Sequence, residues 1–262
     1  MTDNIRIGVQ FVPQHHASYQ AIRDNVVRLE DAGVDIVYNW DHFYPLSGDP
    51  DGTHYECWTM LGAWAEQTSR VEIGALVTCN SYRNPDLLAD MARTVDHISD
   101  GRLILGIGSG WFERDYIEYG YEFGTAGSRL DDLGDALPRI TSRWGKLNPA
   151  PLRDIPILIG GGGEKKTLRY VAQYASAWHY FVDVASYRHK SEVLARHCAD
   201  IGRDPKEIEH SAGLRGDDAD EVLALADQLL AEGVRQFTVN LAAPDYDYTV
   251  IDALVRWRDG QA

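Results

Sequence analysis

The sequence predicts an α/β fold, a single (β/α)8 TIM barrel occupying residues 1–262, and three observations lead there. Short β-branched runs alternate strictly with amphipathic helical segments from end to end, which implies a parallel sheet. Eight such βα units in 262 residues average about 33 residues each, near the natural size of the repeat. No linker, low-complexity tract or charged tail divides the chain. An open doubly wound sheet is the alternative; eight units favour closure.

Ile5–Val12 is a β-branched strand. Ser18 can cap a helix whose Ile22, Val26 and Leu29 share one face, with Gly33 closing it. Val34–Asn39 is the second strand, 57–68 a helix and Val71–Thr78 the third strand. Asn84 and Pro85 supply a cap and a first-turn proline to a helix striped by Leu88, Met91, Val95 and Ile98. Arg102–Ile107 is the fourth strand and 130–144 the next helix. Ile155–Ile159, a helix at 165–175, a strand at 177–182 and a helix at 187–201 follow. Ile208–Leu214 is a weak seventh strand, before a helix carrying Val222, Leu225 and Leu229. Arg235–Leu241 is the eighth strand, and a last helix starts near Tyr248.

Composition narrows the function. With 25 Lys+Arg against 40 Asp+Glu, the net charge of −15 argues against a nucleic-acid partner, which needs a basic footprint. No apolar run is long enough to span a membrane. The polar start Met1-Thr2-Asp3-Asn4 does not read as a signal peptide. Cys57, Cys79 and Cys198 are widely spaced without a CxxC, which suits reduced thiols in a cytoplasmic protein. The histidines include no HExxH and no cluster with cysteine, so no metal is expected.

In such a barrel the chemistry belongs at the carboxyl ends of the strands. After strand two, Asp41 and His42 offer a carboxylate beside an imidazole, a plausible acid/base pair or else a loop-ordering aspartate with a satisfied histidine. Thr78 to Arg83 form a polar cluster after strand three, which lines a pocket or merely caps the next helix. After strand four, Gly106, Gly108 and Gly110 let a flat ring approach the backbone. Trp111 breaks the GxGxxG frame, and a mere tight turn is the alternative. Glu113 follows as an acid or a solvated carboxylate. After strand five, Gly160, Gly161, Gly162 and Gly163 run into a helix beside Lys165 and Lys166. This is not a P-loop, yet bare amides at a helix N-terminus suit phosphate better than a mere connection. No GxSxG elbow appears, which disfavours nucleophilic hydrolysis.

In this order and spacing, these segments resemble the luciferase-like superfamily, specifically its coenzyme F420-dependent oxidoreductase branch. The similarity runs over nearly the whole chain. It is carried by Ile7-Gly8-Val9, Asp41-His42-Phe43, Gly74 to Thr78 with Arg83-Asn84-Pro85, Gly101 to Trp111, Gly120, Arg129, and Ile157 to Gly163. The resemblance implies a luciferase-like TIM barrel holding a deazaflavin at its mouth, with the anionic tail at Gly160–Gly163 and the cations Lys165, Lys166 and Arg169. It further implies a non-prolyl cis peptide at Leu76–Val77, behind the ring beside Thr78. Gly108, Ser109 and Gly110 would contact the cofactor. Asp41 would bind it and orient His42, the acid/base residue.

Two departures weigh against sugar-phosphate oxidation. Trp111 stands where those dehydrogenases carry a carboxylate, with Glu113 two residues on, and Leu46 stands where they carry a tryptophan. The segment from Trp144 to Ile155 is also short, which opens the substrate side. The expected reaction is hydride transfer between deazaflavin and a small organic substrate. An FMN-dependent monooxygenase keeps the fold and changes the cofactor, while a non-catalytic binding protein is the alternative of another class. Relatives of this kind suggest a homodimer.

Overall fold

The computed structural model describes residues 4–181 and 183–261. Met1 to Asp3, and the last position of the strand expected at 177–182, lie outside the described residues.

The chain runs β1 (Arg6–Phe11), α1 (Tyr19–Asp31), β2 (Ile36–Asn39), α2 (Cys57–Gln67), β3 (Glu72–Ala75), β4 (Thr78–Cys79), α3 (Pro85–Ile98), β5 (Leu103–Gly108), α4 (Glu113–Tyr119) and α5 (Ala126–Trp144). It continues with β6 (Ile157–Gly160), α6 (Thr167–Tyr174), β7 (Ala177–Phe181), α7 (Val184–Asp200), β8 (Glu209–Gly213), α8 (Ala219–Ala231), β9 (Gln236–Leu241) and α9 (Thr249–Asp259). Every strand pairing is parallel, and β1 pairs with both β2 and β9. The sheet then runs in the order β3-β2-β1-β9-β8-β7-β6-β5-β4, and the further pairing of β3 with β5 closes it and excludes an open doubly wound arrangement. β3 and β4 are two halves of one barrel strand, since both pair with β5. Eight strands in effect close the barrel, and the fold is the TIM barrel the sequence predicts.

Local chemistry sets several boundaries. The Ser18 side chain caps α1 at the Ala21 amide. Asn84 caps α3 at the amides of Asp86 and Leu87, and Pro85 takes the first helical position, where no amide partner is needed. Two differences from the sequence reading matter. The third strand is interrupted at Leu76–Val77, where the peptide is cis, at the position the resemblance implied. The seven-residue α4 is unforeseen, because its sequence ERDYIEY has no apolar period and no side-chain cap.

The apolar residues form two layers. The larger one joins Ile7, Val9, Phe11, Ile73, Leu105, Ile159 and Phe237 to the inward faces of the helices. The smaller fills the barrel with Ile36, Tyr38, Leu76, Ile104, Leu158 and Ala177. Since side chains alternate along a strand, Ala177 places His179 on the inner wall and Trp178 on the outer one. At the amino end Arg6 bridges Glu72 and Glu209, and Arg153 also binds Glu72, which plugs the barrel floor with paired charge. The carboxyl end is left for chemistry.

Candidate active site

The β2 exit carries two carboxylate-linked side chains that diverge. Asp41, fully buried, accepts both guanidinium nitrogens of Arg83 (2.5 and 3.0 Å) and the Cys79 amide at 3.0 Å. Burial raises its pKa, against the pull of Arg83. Arg83 also donates to Glu56 at 2.7 Å. Asp41 therefore clamps β4 to β2 and does not orient His42.

That role falls to Asp115 on α4. His42 Nδ1 lies 2.7 Å from Asp115 Oδ2, and the Asp115 side chain is wholly buried. The same carboxylate accepts the Phe43 amide at 3.1 Å and the Tyr82 hydroxyl at 3.0 Å. Three donors converging on one carboxylate hold it rigidly, and Nδ1–H donation to it leaves Nε2 for a bound molecule. Glu113, the expected acid, is exposed in the first turn of α4. The resemblance indicated a carboxylate just after the glycine turn; the one that reaches His42 lies on the inward face of an unforeseen helix.

Aromatic rings surround His42. Trp40, Trp111 and Phe112 meet its ring edge-on at centroid distances of 6.0, 5.7 and 5.5 Å. Trp40 donates its indole N–H to His54 Nε2 at 3.0 Å, and burial lowers His54 to about 4, keeping it a neutral acceptor.

The floor beside this wall is built without side chains. A Cβ on Gly108 would lie 2.8 Å from Val77 Cγ2, and one on Gly160 3.1 Å from Val77 Cγ1, so the interrupted strand pushes a valine between bare glycines. The Leu76 carbonyl accepts from the Gln10 amide. Thr78 Oγ1, Asn80 Oδ1 and His179 Nε2 are buried without a partner among the described residues. Orphaned groups of this kind call for a ligand or water. Gly110 has φ +79°, and a Cβ there would lie 2.0 Å from the Tyr116 hydroxyl, so only glycine serves. Tyr116 in turn holds the Ser109 carbonyl at 3.4 Å and the Cys79 thiol at 3.3 Å. Burial pushes that thiol up to about 11, so it stays protonated.

On the far side, the Gly160–Gly163 turn leads into α6, whose first turn no side chain caps. The amides of Gly162 and Gly163 bond to no backbone carbonyl among the described residues. Trp178, on the outer wall, grips the turn through its indole N–H to the Gly161 carbonyl at 2.8 Å. The tryptophans at the mouth are thus Trp40 and Trp111, whereas Trp178 packs beneath the helices. Lys165 is exposed in the turn. Lys166 differs from expectation, because Asp131 takes its charge at 2.6 Å. A glycine floor, orphaned polar groups and an uncapped helix N-terminus fit a flat ring with an anionic tail. Among the described residues no group of side chains is placed to hold a metal ion.

A closed parallel barrel whose mouth carries a histidine held by a buried carboxylate defines the class by its fold, a luciferase-like TIM barrel. The sequence pattern of the luciferase-like monooxygenase family matches residues 5–254, and the chain belongs to that family. It is 30% identical over 185 residues to the F420-dependent glucose-6-phosphate dehydrogenase of Amycolatopsis mediterranei, covering 63% of this chain and 51% of that one. It is 34% identical over 199 residues to a phthiodiolone/phenolphthiodiolone dimycocerosates ketoreductase of Mycobacterium tuberculosis, covering 65% and 51%. The matched region spans about half the length of these relatives. In three dimensions the chain is similar to an F420-dependent secondary alcohol dehydrogenase solved with an F420-acetone adduct, at a TM-score of 0.84 and 17% identity over 97% of this chain and 98% of that one. At that identity the likeness is one of fold. No described helix is long and apolar enough to cross a membrane.

Proposed function

We propose that this chain is a coenzyme F420-dependent oxidoreductase acting on a small organic substrate, working as one barrel domain over 1–262. The observation that carries this reading is the His42–Asp115 pair opening onto a glycine floor whose far edge is an uncapped helix N-terminus. The names of the similar dehydrogenase and secondary alcohol dehydrogenase support it.

When bound, the reduced deazaflavin supplies a hydride, and the oxidised form accepts one. The rest falls to the protein. Val77, Gly108 and Gly160 give the ring its bed, with Leu76, Thr78, Ser109 and Gly110 on the flanking segments. Gly161, Gly162, Gly163 and Lys165 receive the anionic tail. His42 Nε2 delivers the proton that balances hydride addition to a polarised double bond, or removes it in the oxidative direction. Asp115 fixes the imidazole's tautomer and angle.

Titrating the purified protein in parallel with the deazaflavin and with FMN, and reading tryptophan fluorescence, tests the cofactor. Saturable quenching by the deazaflavin is expected; FMN binding without deazaflavin binding would replace this reading with a flavin monooxygenase. His42→Ala should slow turnover by roughly 10²–10⁴ while leaving cofactor affinity largely intact.

A further inference from the structure

The barrel mouth is chemically divided. Lys165 and Arg169 on the β6 side and Arg215 after β8 make no ion pair among the described residues, and the Arg215 guanidinium lies 4.8 Å above the Phe181 ring. On the His42 side the cations are engaged. Arg83 is held by Asp41 and Glu56, and Arg114 by Asp51 with its guanidinium over the Tyr44 ring; Arg129 has no carboxylate partner among the described residues but is buried and donates to the carbonyls of Gly110 and Phe123. Trp111 projects there, 62% exposed, beside the imidazole.

We infer that the substrate is a neutral, flat and largely apolar molecule bearing a polarised C=O, C=N or conjugated C=C bond, and that Trp111 determines this specificity by stacking on it. This rests on the oxidoreductase reading above. A phosphate or carboxylate placed against Trp111 would lose part of its hydration and find no exposed, unpaired guanidinium or ammonium among the described residues in return, only the His42 imidazole already bonded to Asp115, while Glu113 stands two residues on in an acidic protein. An aromatic ketone or enone loses little on leaving water, covers the exposed indole and gains ring contacts. The free cations of the opposite sector suit an anionic cofactor tail, so the two ligands are sorted by charge across one opening.

The test uses an aryl enone and its ring-carboxylated analogue, in wild type, Trp111→Ala and Trp111→Phe. Binding is measured by tryptophan quenching or calorimetry on the deazaflavin-loaded protein, and turnover is measured with reduced deazaflavin. The neutral compound should bind at least about tenfold more tightly. Trp111→Ala should raise its KM about tenfold with kcat changed less, Trp111→Phe should recover most of the loss, and cofactor affinity should not move. Equal or tighter binding of the carboxylated compound would overturn the inference and leave the cofactor assignment standing, and so would an unchanged KM in Trp111→Ala. Failure of the deazaflavin titration itself would instead overturn the functional reading.

Discussion

His42 bonds to Asp115, 73 positions away, at 2.7 Å, and not to the adjacent Asp41. Neighbouring residues at a strand exit point in divergent directions, so Asp41 turns down to Arg83 while the imidazole turns out toward α4. Asp115 is thereby a positioning residue whose own oxygens are fixed by the Phe43 amide and the Tyr82 hydroxyl.

Asp115→Asn should lower kcat by roughly 10–10³, because an amide no longer enforces one imidazole tautomer. Cofactor affinity should stay within a few-fold, and Asp115→Glu should recover part of the rate. Steady-state kinetics beside a cofactor titration check this; parallel loss of cofactor binding would mean the residue merely holds the fold.

Removing one partner of the Asp41–Arg83 pair strands a buried charge. Arg83→Met should cost about 3–5 kcal/mol of stability, read from denaturant midpoints at constant slope. A loss below about 1 kcal/mol would show that the pair is solvated in practice.

The anion turn can be probed sterically. A Cβ at Gly162 would lie 2.6 Å from the Tyr180 ring, so Gly162→Ala must displace either the turn or the ring. Deazaflavin affinity should fall about tenfold or more, whereas the tail-free riboflavin-type ring should lose much less. Equal losses would place the tail elsewhere.

Charge at this turn should act through Lys165 rather than Lys166, which Asp131 already holds. Lys165→Ala should weaken cofactor binding most at low ionic strength, with the difference shrinking as salt screens it. Lys166→Ala should change affinity less. The reverse order would contradict this assignment.

Acid should destabilise the fold through buried histidines. Burial lowers His54 and His210 to about 4 and His179 to about 3, below the ordinary 6.5. The unfolded chain then binds protons the folded one refuses, so stability present above pH 6.5 is lost as pH falls toward 4. Each such histidine contributes a slope approaching about 1.4 kcal/mol per pH unit inside that window. His210→Gln should flatten the fall in unfolding free energy between pH 6 and 5 by about that amount.

Much of the scaffold was legible because it depends on local rules. Alternation marked the strands, Ser18 and Asn84 marked helix starts, and the polar or glycine-rich exits marked the mouth. The interruption at Leu76–Val77 came only from the resemblance; a continuous apolar run carries no local sign of it. α4 escaped because its buried faces, Asp115 and Tyr116, are buried for polar contacts with His42, Tyr82 and Cys79. No apolar period advertises such a helix. Lys166 looked available for the same kind of reason, since its partner sits 35 positions earlier on α5.

The barrel, its polar and glycine-rich strand exits and the residue types present there are written in the chain itself. Those follow from strand and helix periodicity and from turn chemistry, which act within a few residues. Which carboxylate bonds to His42, which lysine is left without an ion pair among the described residues and the exposure of an indole beside His42 emerge only on folding. Such pairings depend on distances between side chains far apart in sequence, and barrel closure brings them to within a hydrogen bond.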